Sequence, residues 1–238
     1  MARRHVPAGM CGRNSLFAPP EALEDAFGAE IVTDGGYVPR YNIAPGQPLE
    51  VVTNEAPDEI DELRWGLVPP WADGPGDGLI NARSETAHEK RPFADAWESR
   101  PCLVLSSGFY EWQARSGGPK QPYRVHRRDD PAFAMAGLWE VWEGDDQTVP
   151  CVTILTTEPN DLVAPIHDRM PVVLPGGTES AWLAGDPDER AELCRPYPED
   201  DLEAYEISTR VNDPSNDDPS VIEPLGHEQS GLDRFGSD

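Results

Sequence analysis

A thiol and an α-amine stand on adjacent carbons only in an amino-terminal cysteine, and the segment Met10-Cys11-Gly12-Arg13 offers one. If translation begins at Met10 and that methionine is removed, Cys11 becomes the first residue. Such a 1,2-aminothiol attacks an aldehyde through its amine to give an imine. The thiol then closes a five-membered thiazolidine, a reaction no internal cysteine can perform. The α-amine suits the first step, since it titrates near about 7.7–8.0 against about 10.4 for lysine and is far more often neutral at pH 7. Taken alone, the tetrapeptide fits an ordinary strand thiol better.

Three other stretches carry groups for proton transfer or anchoring. In Gly108-Phe-Tyr-Glu-Trp112, Glu111 lies between two aromatics, and desolvation there would raise its pKa toward the range useful for acid–base work. A strand glutamate facing water is the alternative. In Pro165-Ile-His-Asp-Arg-Met-Pro171, His167 can exchange protons near neutrality, or can be a loop histidine with no role. In Asn81-Ala-Arg-Ser-Glu-Thr86, the Asn81 amide can hold an amine or carbonyl and Arg83 can pair with phosphate, although a turn-forming asparagine is common.

The elements that must position these groups are mostly short strands. Leu49–Asn54, Pro101–Trp112, Tyr123–Arg127, Ala132–Trp139 and Val149–Thr157 are rich in β-branched and aromatic residues. Weaker helical patterns follow Pro19, cover Arg91–Ser99 and Glu158–Ile166, and begin at Glu179. Proline and glycine punctuate the chain around Pro45, Pro70 and Gly118, and such loops are where sites tend to sit. The fold class is therefore α+β, a strand-dominated single domain with short peripheral helices. Residues 1–10 are expected to be a leader or a misplaced start, residues 11–215 the folded domain and residues 216–238 a largely mobile segment.

Composition bounds the rest. There are 44 Asp and Glu against 19 Lys and Arg, a net charge of −25, and the only lysines are Lys90 and Lys120. This is the pattern of a salt-adapted surface, with arginine kept where a cation must make fixed contacts. The apolar content and seven tryptophans argue against a disordered chain. Cys11, Cys102, Cys151 and Cys194 are far apart, without zinc spacing, and the last three read as small core residues. No apolar run approaches membrane-spanning length, so a soluble cytoplasmic protein is expected.

The order of motifs is more specific than any one of them. Met-Cys-Gly-Arg at Met10, YNIAPG at Tyr41, RWGLVPPW at Arg64, NARSET at Asn81 and CLVLSSGFYEW at Cys102 are followed by AMAGLWE at Ala134 and TILTTEPN at Thr153. IHDRMPVVL at Ile166 and VNDPSNDDPSVIEP at Val211 complete the series. Together they resemble the SRAP family (SOS-response-associated peptidase), which senses abasic sites in single-stranded DNA. The resemblance implies a compact β-rich fold whose basic cleft admits single-stranded DNA. It places the nucleophile on Cys11, the positioning amide on Asn81, the proton-transfer carboxylate on Glu111 and the histidine on His167. Arg13, Arg83 and Arg169 become candidates for phosphate contacts, and Pro45, Trp65 and Trp71 for stacking or wedge surfaces beside the lesion. The implied reaction is covalent capture of the abasic aldehyde as a thiazolidine, with β-elimination as a side activity. It requires neither metal nor cofactor, and a monomer is expected.

Two departures matter. Residues 1–9 precede Met10, and with them attached the Cys11 nitrogen would be an unreactive amide. Initiation at Met10, cleavage of the leader and a non-crosslinking relative are the three explanations, of which the first is preferred. Leu105-Ser106-Ser107 also stands where the family often has proline and a small acidic or polar pair. Two functions of other classes compete: a cysteine peptidase or amidohydrolase using Cys11, His167 and Asn81 or Asp168, and a non-enzymatic single-strand-binding module.

Overall fold

The computed structural model describes residues 12–33, 35–129 and 131–226. Its strands are β1 (Asn14–Leu16), β2 (Glu30–Ile31), β3 (Arg40–Ile43), β4 (Pro48–Thr53), β5 (Glu59–Trp65), β6 (Asn81–Arg83), β7 (Pro101–Ser106), β8 (Gly108–Gln113), β9 (Gln121–Arg127), β10 (Phe133–Glu143), β11 (Thr148–Thr157), β12 (Met170–Pro171) and β13 (Leu202–Glu206). Short helices lie between them: α1 (Pro20–Phe27), α2 (Ser84–Ala87), α3 (Ala94–Ser99), α4 (Glu179–Ala184) and α5 (Pro187–Leu193). The strand-dominated α+β class read from the sequence is the class observed.

Two sheets carry the fold. One runs β13-β9-β8-β1-β3, and the other runs β12-β11-β10-β7-β4-β5-β2 with β6 joined to β11. Strand β11 also pairs in parallel with β5, through Cys151 to Arg64 and Val152 to Trp65. The ring β11-β10-β7-β4-β5 is thereby closed, which removes the free edges an open sheet would expose. Strand β7 is buried along its whole length, which explains its near-continuous apolar sequence. Leu103, Leu105, Val51, Met135, Ile154 and Trp65 belong to the main core.

The closure shapes the approach to Asn81. At Gly66 the chain leaves β5, makes an excursion, and returns at Asn81 to pair with β11 beside the place it left. The neck of this loop is tied by reciprocal backbone hydrogen bonds between Leu67 and Leu79, of 3.0 and 2.8 Å. Gly66 and Gly78 pack backbone against backbone there. A Cβ on Gly78 would fall 2.2 Å from the Gly66 oxygen, and both residues have positive φ.

Three expectations are corrected. The run Pro101–Trp112 is two strands in different sheets, broken at Ser107. The Ser106 hydroxyl donates to the Asn14 side chain at 2.7 Å and the Ser107 amide donates to the Ser15 carbonyl at 2.7 Å, so the serine pair fastens the corner to β1. Glu158–Ile166 is a set of turns and not a helix. Proline at 159 and 165 removes amide donors, and Asn160 caps the first turn, accepting from the Val163 amide at 3.0 Å while donating to the Tyr197 carbonyl at 2.7 Å. Residues 216–226, assigned to a mobile segment, are built into the fold. Val221 joins a second small core with Tyr110, Ile207 and Val211, and the Asp217 carboxylate accepts from the backbone amides of Tyr41 and Asn42.

Candidate active site

Cys11, the expected nucleophile, lies outside the described residues. The structure brings together two of the other three. Glu111 is on β8, where it pairs with Tyr123 of β9, and its carboxyl is buried, with 1 % exposure. His167 follows the turns after β11 and presents its Nδ1 3.9 Å from the Glu111 carboxylate and 3.3 Å from that of Asp168. The same nitrogen is 3.1 Å from both the amide nitrogen and the carbonyl oxygen of Arg169. The amide can only donate, so accepting its bond puts the neutral ring's proton on Nε2. A proton on Nδ1 can instead be donated to the Arg169 carbonyl, with the two carboxylates at ion-pair distance.

Asn81 opens β6 and is almost fully buried. Arg83, two residues on, shares its side of the strand and is exposed. The loop carrying His167 is joined to the helix after β6 by Arg169. Its guanidinium grips both oxygens of Glu85, at 2.6 and 2.8 Å, and donates to the Thr156 carbonyl at 2.6 Å. The bonds from Arg169 hold the Glu85 carboxyl below the usual carboxylate range. On the other side, Gln113 of β8 donates to the Pro165 carbonyl at 2.9 Å and so braces the His167 loop against the strand that bears Glu111. Glu85 and Gln113 are parts of the site that the sequence analysis missed. NARSET contains Glu85, but nothing local shows that its partner is 84 residues away.

The proposed DNA contacts divide. Trp65 is 1 % exposed and donates its indole N–H to the Ile80 carbonyl at 2.9 Å, so it is a core side chain and cannot stack on a base. Arg169 is almost fully buried and its guanidinium is engaged by Glu85 and Thr156, so within the fold it serves as an internal strut. Arg13 donates to the carbonyls of Val211 and Asn212, at 2.6 and 3.2 Å, and lies over the Trp112 ring. Burial corrects the Trp65 assignment, while Arg13 and Arg169 are already engaged by hydrogen bonds within the fold. The other three stand at the surface. Trp71 is 43 % exposed on the excursion loop, with the Arg91 guanidinium 4.2 Å from its ring centroid. Pro45 is half-buried in a turn closed by Gln47, whose side chain accepts from the Ala44 amide at 2.7 Å. The third is Arg83.

Cys102 and Cys151 are buried core thiols, and Cys194, after α5, is half-buried. Burial pushes the Cys194 thiol up to about 12, so it is not a nucleophile at neutral pH. Among the described residues no group of three or more His, Cys, Asp or Glu is arranged to hold a metal ion.

The fold and the site together define a small, closed, strand-built domain in which a buried carboxyl faces a histidine. The sequence profile of the family described as SOS response associated peptidase (SRAP) matches residues 10–214. The chain belongs to this family. Among its relatives is the abasic site processing protein YoqW of Bacillus subtilis, 40 % identical over 222 residues that make up 90 % of this chain and 99 % of that protein. The abasic site processing protein YoaM of the same organism is 38 % identical over 227 residues, 92 % of this chain and 100 % of that one. A crystal structure of a protein from Bacteroides thetaiotaomicron superposes with a TM-score of 0.81 at 27 % identity, covering 90 % of this chain and all of the other.

Proposed function

We propose that this chain processes abasic sites in single-stranded DNA, capturing the sugar aldehyde as a thiazolidine on Cys11. The observation that carries the reading is the buried Glu111 carboxyl facing His167 at 3.9 Å in a chain whose relatives are named abasic site processing proteins. The Cys11 amine adds to the open-chain aldehyde and loses water to give an imine. The Cys11 thiol then adds to the imine carbon, its proton passing to the nitrogen, and the ring closes. Net, one water leaves and no redox partner is needed. Glu111 is suited to ring opening and to the proton transfers at the carbinolamine, and His167 to dehydration and to the slower reversal. The imine stage also makes β-elimination of the 3′ strand accessible, as a lyase-type side activity. Asn81 holds the reacting backbone groups, while Arg83, Trp71 and Pro45 contact DNA.

The chemistry requires Cys11 to be amino-terminal, and the family profile begins its match at Met10. The acidic surface belongs to the same proposal: stacking and covalent capture lose less to salt than phosphate contacts do, so a salt-adapted body suits this reaction.

The test is intact mass of the native protein, alone and mixed with single-stranded DNA carrying one abasic site. A chain beginning at Cys11 that gains the mass of the DNA less one water, in a form stable to denaturation, is the expected result. A protein that retains residues 1–10 and forms no adduct would overturn it. Glu111→Gln is expected to slow adduct formation by about 10²-fold or more, and His167→Ala to slow reversal more than formation.

A further inference from the structure

Arg13 stands two residues after Cys11, and its side chain is spent on the far end of the chain. Its Nη1 and Nη2 donate to the carbonyls of Val211 and Asn212, 198 and 199 residues away. The Trp112 ring lies beneath the guanidinium at 5.9 Å, and the Trp112 indole N–H donates to the Asn212 side chain at 2.8 Å. The Arg13 carbonyl accepts from the Tyr110 amide at 3.1 Å, which fastens the backbone as well.

The turn that receives Arg13 is itself held. Asn42, fully buried, donates its side-chain amide to the carbonyls of Val211, Asp213 and Asn216, at 3.2, 3.1 and 2.8 Å. Asp217 pairs with Arg40 and accepts from the amides of Tyr41 and Asn42, at 2.5 and 2.8 Å. Val211 thus receives bonds from both Arg13 and Asn42, and residues 211–217 are fixed to β3 before Arg13 reaches them. Among the described residues both hydrogen-bond acceptors of Arg13 are neutral carbonyls, so added salt does little to loosen them. Burial lowers the Arg13 pKa, the cost expected of a desolvated guanidinium, and arginine bears that cost better than lysine because it is more weakly hydrated.

We propose that Arg13 is a positioning residue, clamping the strand that leads from Cys11 onto the 211–217 turn and so setting where the reacting amine and thiol meet the sugar, without gripping DNA phosphate. The inference rests on the reading of Cys11 as nucleophile. Two residues of chain span at most about 7 Å, so an anchor at Arg13 confines the reach of the residue two positions before it. Misplacement of a reacting group by about 1 Å can cost on the order of 10²-fold in rate.

Arg13→Ala, Arg13→Lys and Asn42→Ala are compared with the native protein in two measurements. One is affinity for undamaged single-stranded DNA as a function of salt. The other is the rate of crosslinking at saturating abasic DNA. The expected result is affinity and salt slope within twofold of native for all three, with crosslinking slowed at least tenfold in Arg13→Ala. A smaller loss is expected in Arg13→Lys, which keeps the charge and one donor nitrogen, and a loss also in Asn42→Ala, which removes a fully buried side chain that holds the turn. Backbone hydrogen exchange should quicken in residues 12–16 and 208–217 of Arg13→Ala. If Arg13→Ala fails to fold, Arg13→Lys carries the comparison. Weaker binding with a shallower salt slope and a native rate at saturation would make Arg13 a phosphate contact and overturn the clamp. Native rates in all variants would overturn it too, leaving the Cys11 chemistry intact. Absence of any adduct from the native protein sinks the reading of Cys11 and this inference with it.

Discussion

Trp65 and Trp71 lie in one motif and have opposite fates. Trp65 is packed among the core strands, while Trp71 stands on the excursion loop beneath Arg91. Trp65→Ala is expected to cost about 3–5 kcal/mol of stability through the cavity it leaves. Trp71→Ala should change stability by less than about 0.5 kcal/mol and weaken single-strand binding. Urea unfolding and fluorescence anisotropy, run on both variants, separate the two roles. Glu50 offers a second residue-scale test. It is buried on β4 directly opposite Glu62 of β5. Burial pushes its carboxyl up to about 7, the Glu62 charge adds to that, and Arg40 opposes it. The folded protein therefore holds a proton that the unfolded chain releases between about pH 4.5 and 7. The stability this confers is present below that window and lost as pH rises through about 7. Glu50→Gln should match the native protein at pH 5 and exceed it at pH 8, by on the order of 2 kcal/mol. Equal pH profiles in denaturant titrations would show that Glu50 ionises normally.

At the scale of elements, the excursion between β5 and β6 links fold to site. Because the chain leaves β11 at Gly66 and rejoins it at Asn81, the position of the Asn81 amide depends on a neck that admits no side chain. Gly78→Ala is expected to destabilise by about 1–3 kcal/mol, read as a lower melting temperature. It should also slow crosslinking more than it weakens DNA binding, since Asn81 is three residues downstream. A variant that melts and reacts like the native protein would show that the neck is slack. The same scale explains what was legible. Alternating and continuous apolar runs marked β4, β7, β9, β10 and β11, because those patterns are local. The break at Ser107 was hidden, because only the bonds of Ser106 and Ser107 to β1 show where one sheet hands over to the other. The missing helix at Glu158–Ile166 shows an apolar periodicity overruled by two prolines and a capping asparagine.

Over the whole molecule, the net charge of −25 is distributed with a division of labour. Arg124 is buried and donates to the Ser107 carbonyl at 2.7 Å, and Arg190 is buried and donates to the Gly185 carbonyl at 2.6 Å. Arg13 and Arg169 are likewise engaged inside. Arginines committed to internal hydrogen bonds are less available to phosphates, and the exposed cations stand among a large excess of carboxylates. Single-strand affinity should therefore depend weakly on salt, with a log–log slope smaller than about 2 in magnitude, the value for about three neutralised phosphates. Anisotropy titrations from low to molar KCl measure it, and a steep slope would restore a broad basic cleft. Thermal stability should rise over the same range as salt screens the repulsion among surface carboxylates.

The chain alone was enough for the fold class, the positions of the main strands and the order of motifs that mark the family, since each is written in residue types a few positions apart. It also pointed to Glu111 and His167, which the fold places 3.9 Å apart. What it could not convey is which polar side chains are free to act. Arg13, Arg83 and Arg169 look alike in sequence, and only the folded molecule shows two of them bound to partners 198 and 84 residues away and the third at the surface. Burial and hydrogen bonding between distant segments follow from how the sheets close and where the turns lead, and that geometry is set by the packing of the whole core and not by any window of sequence.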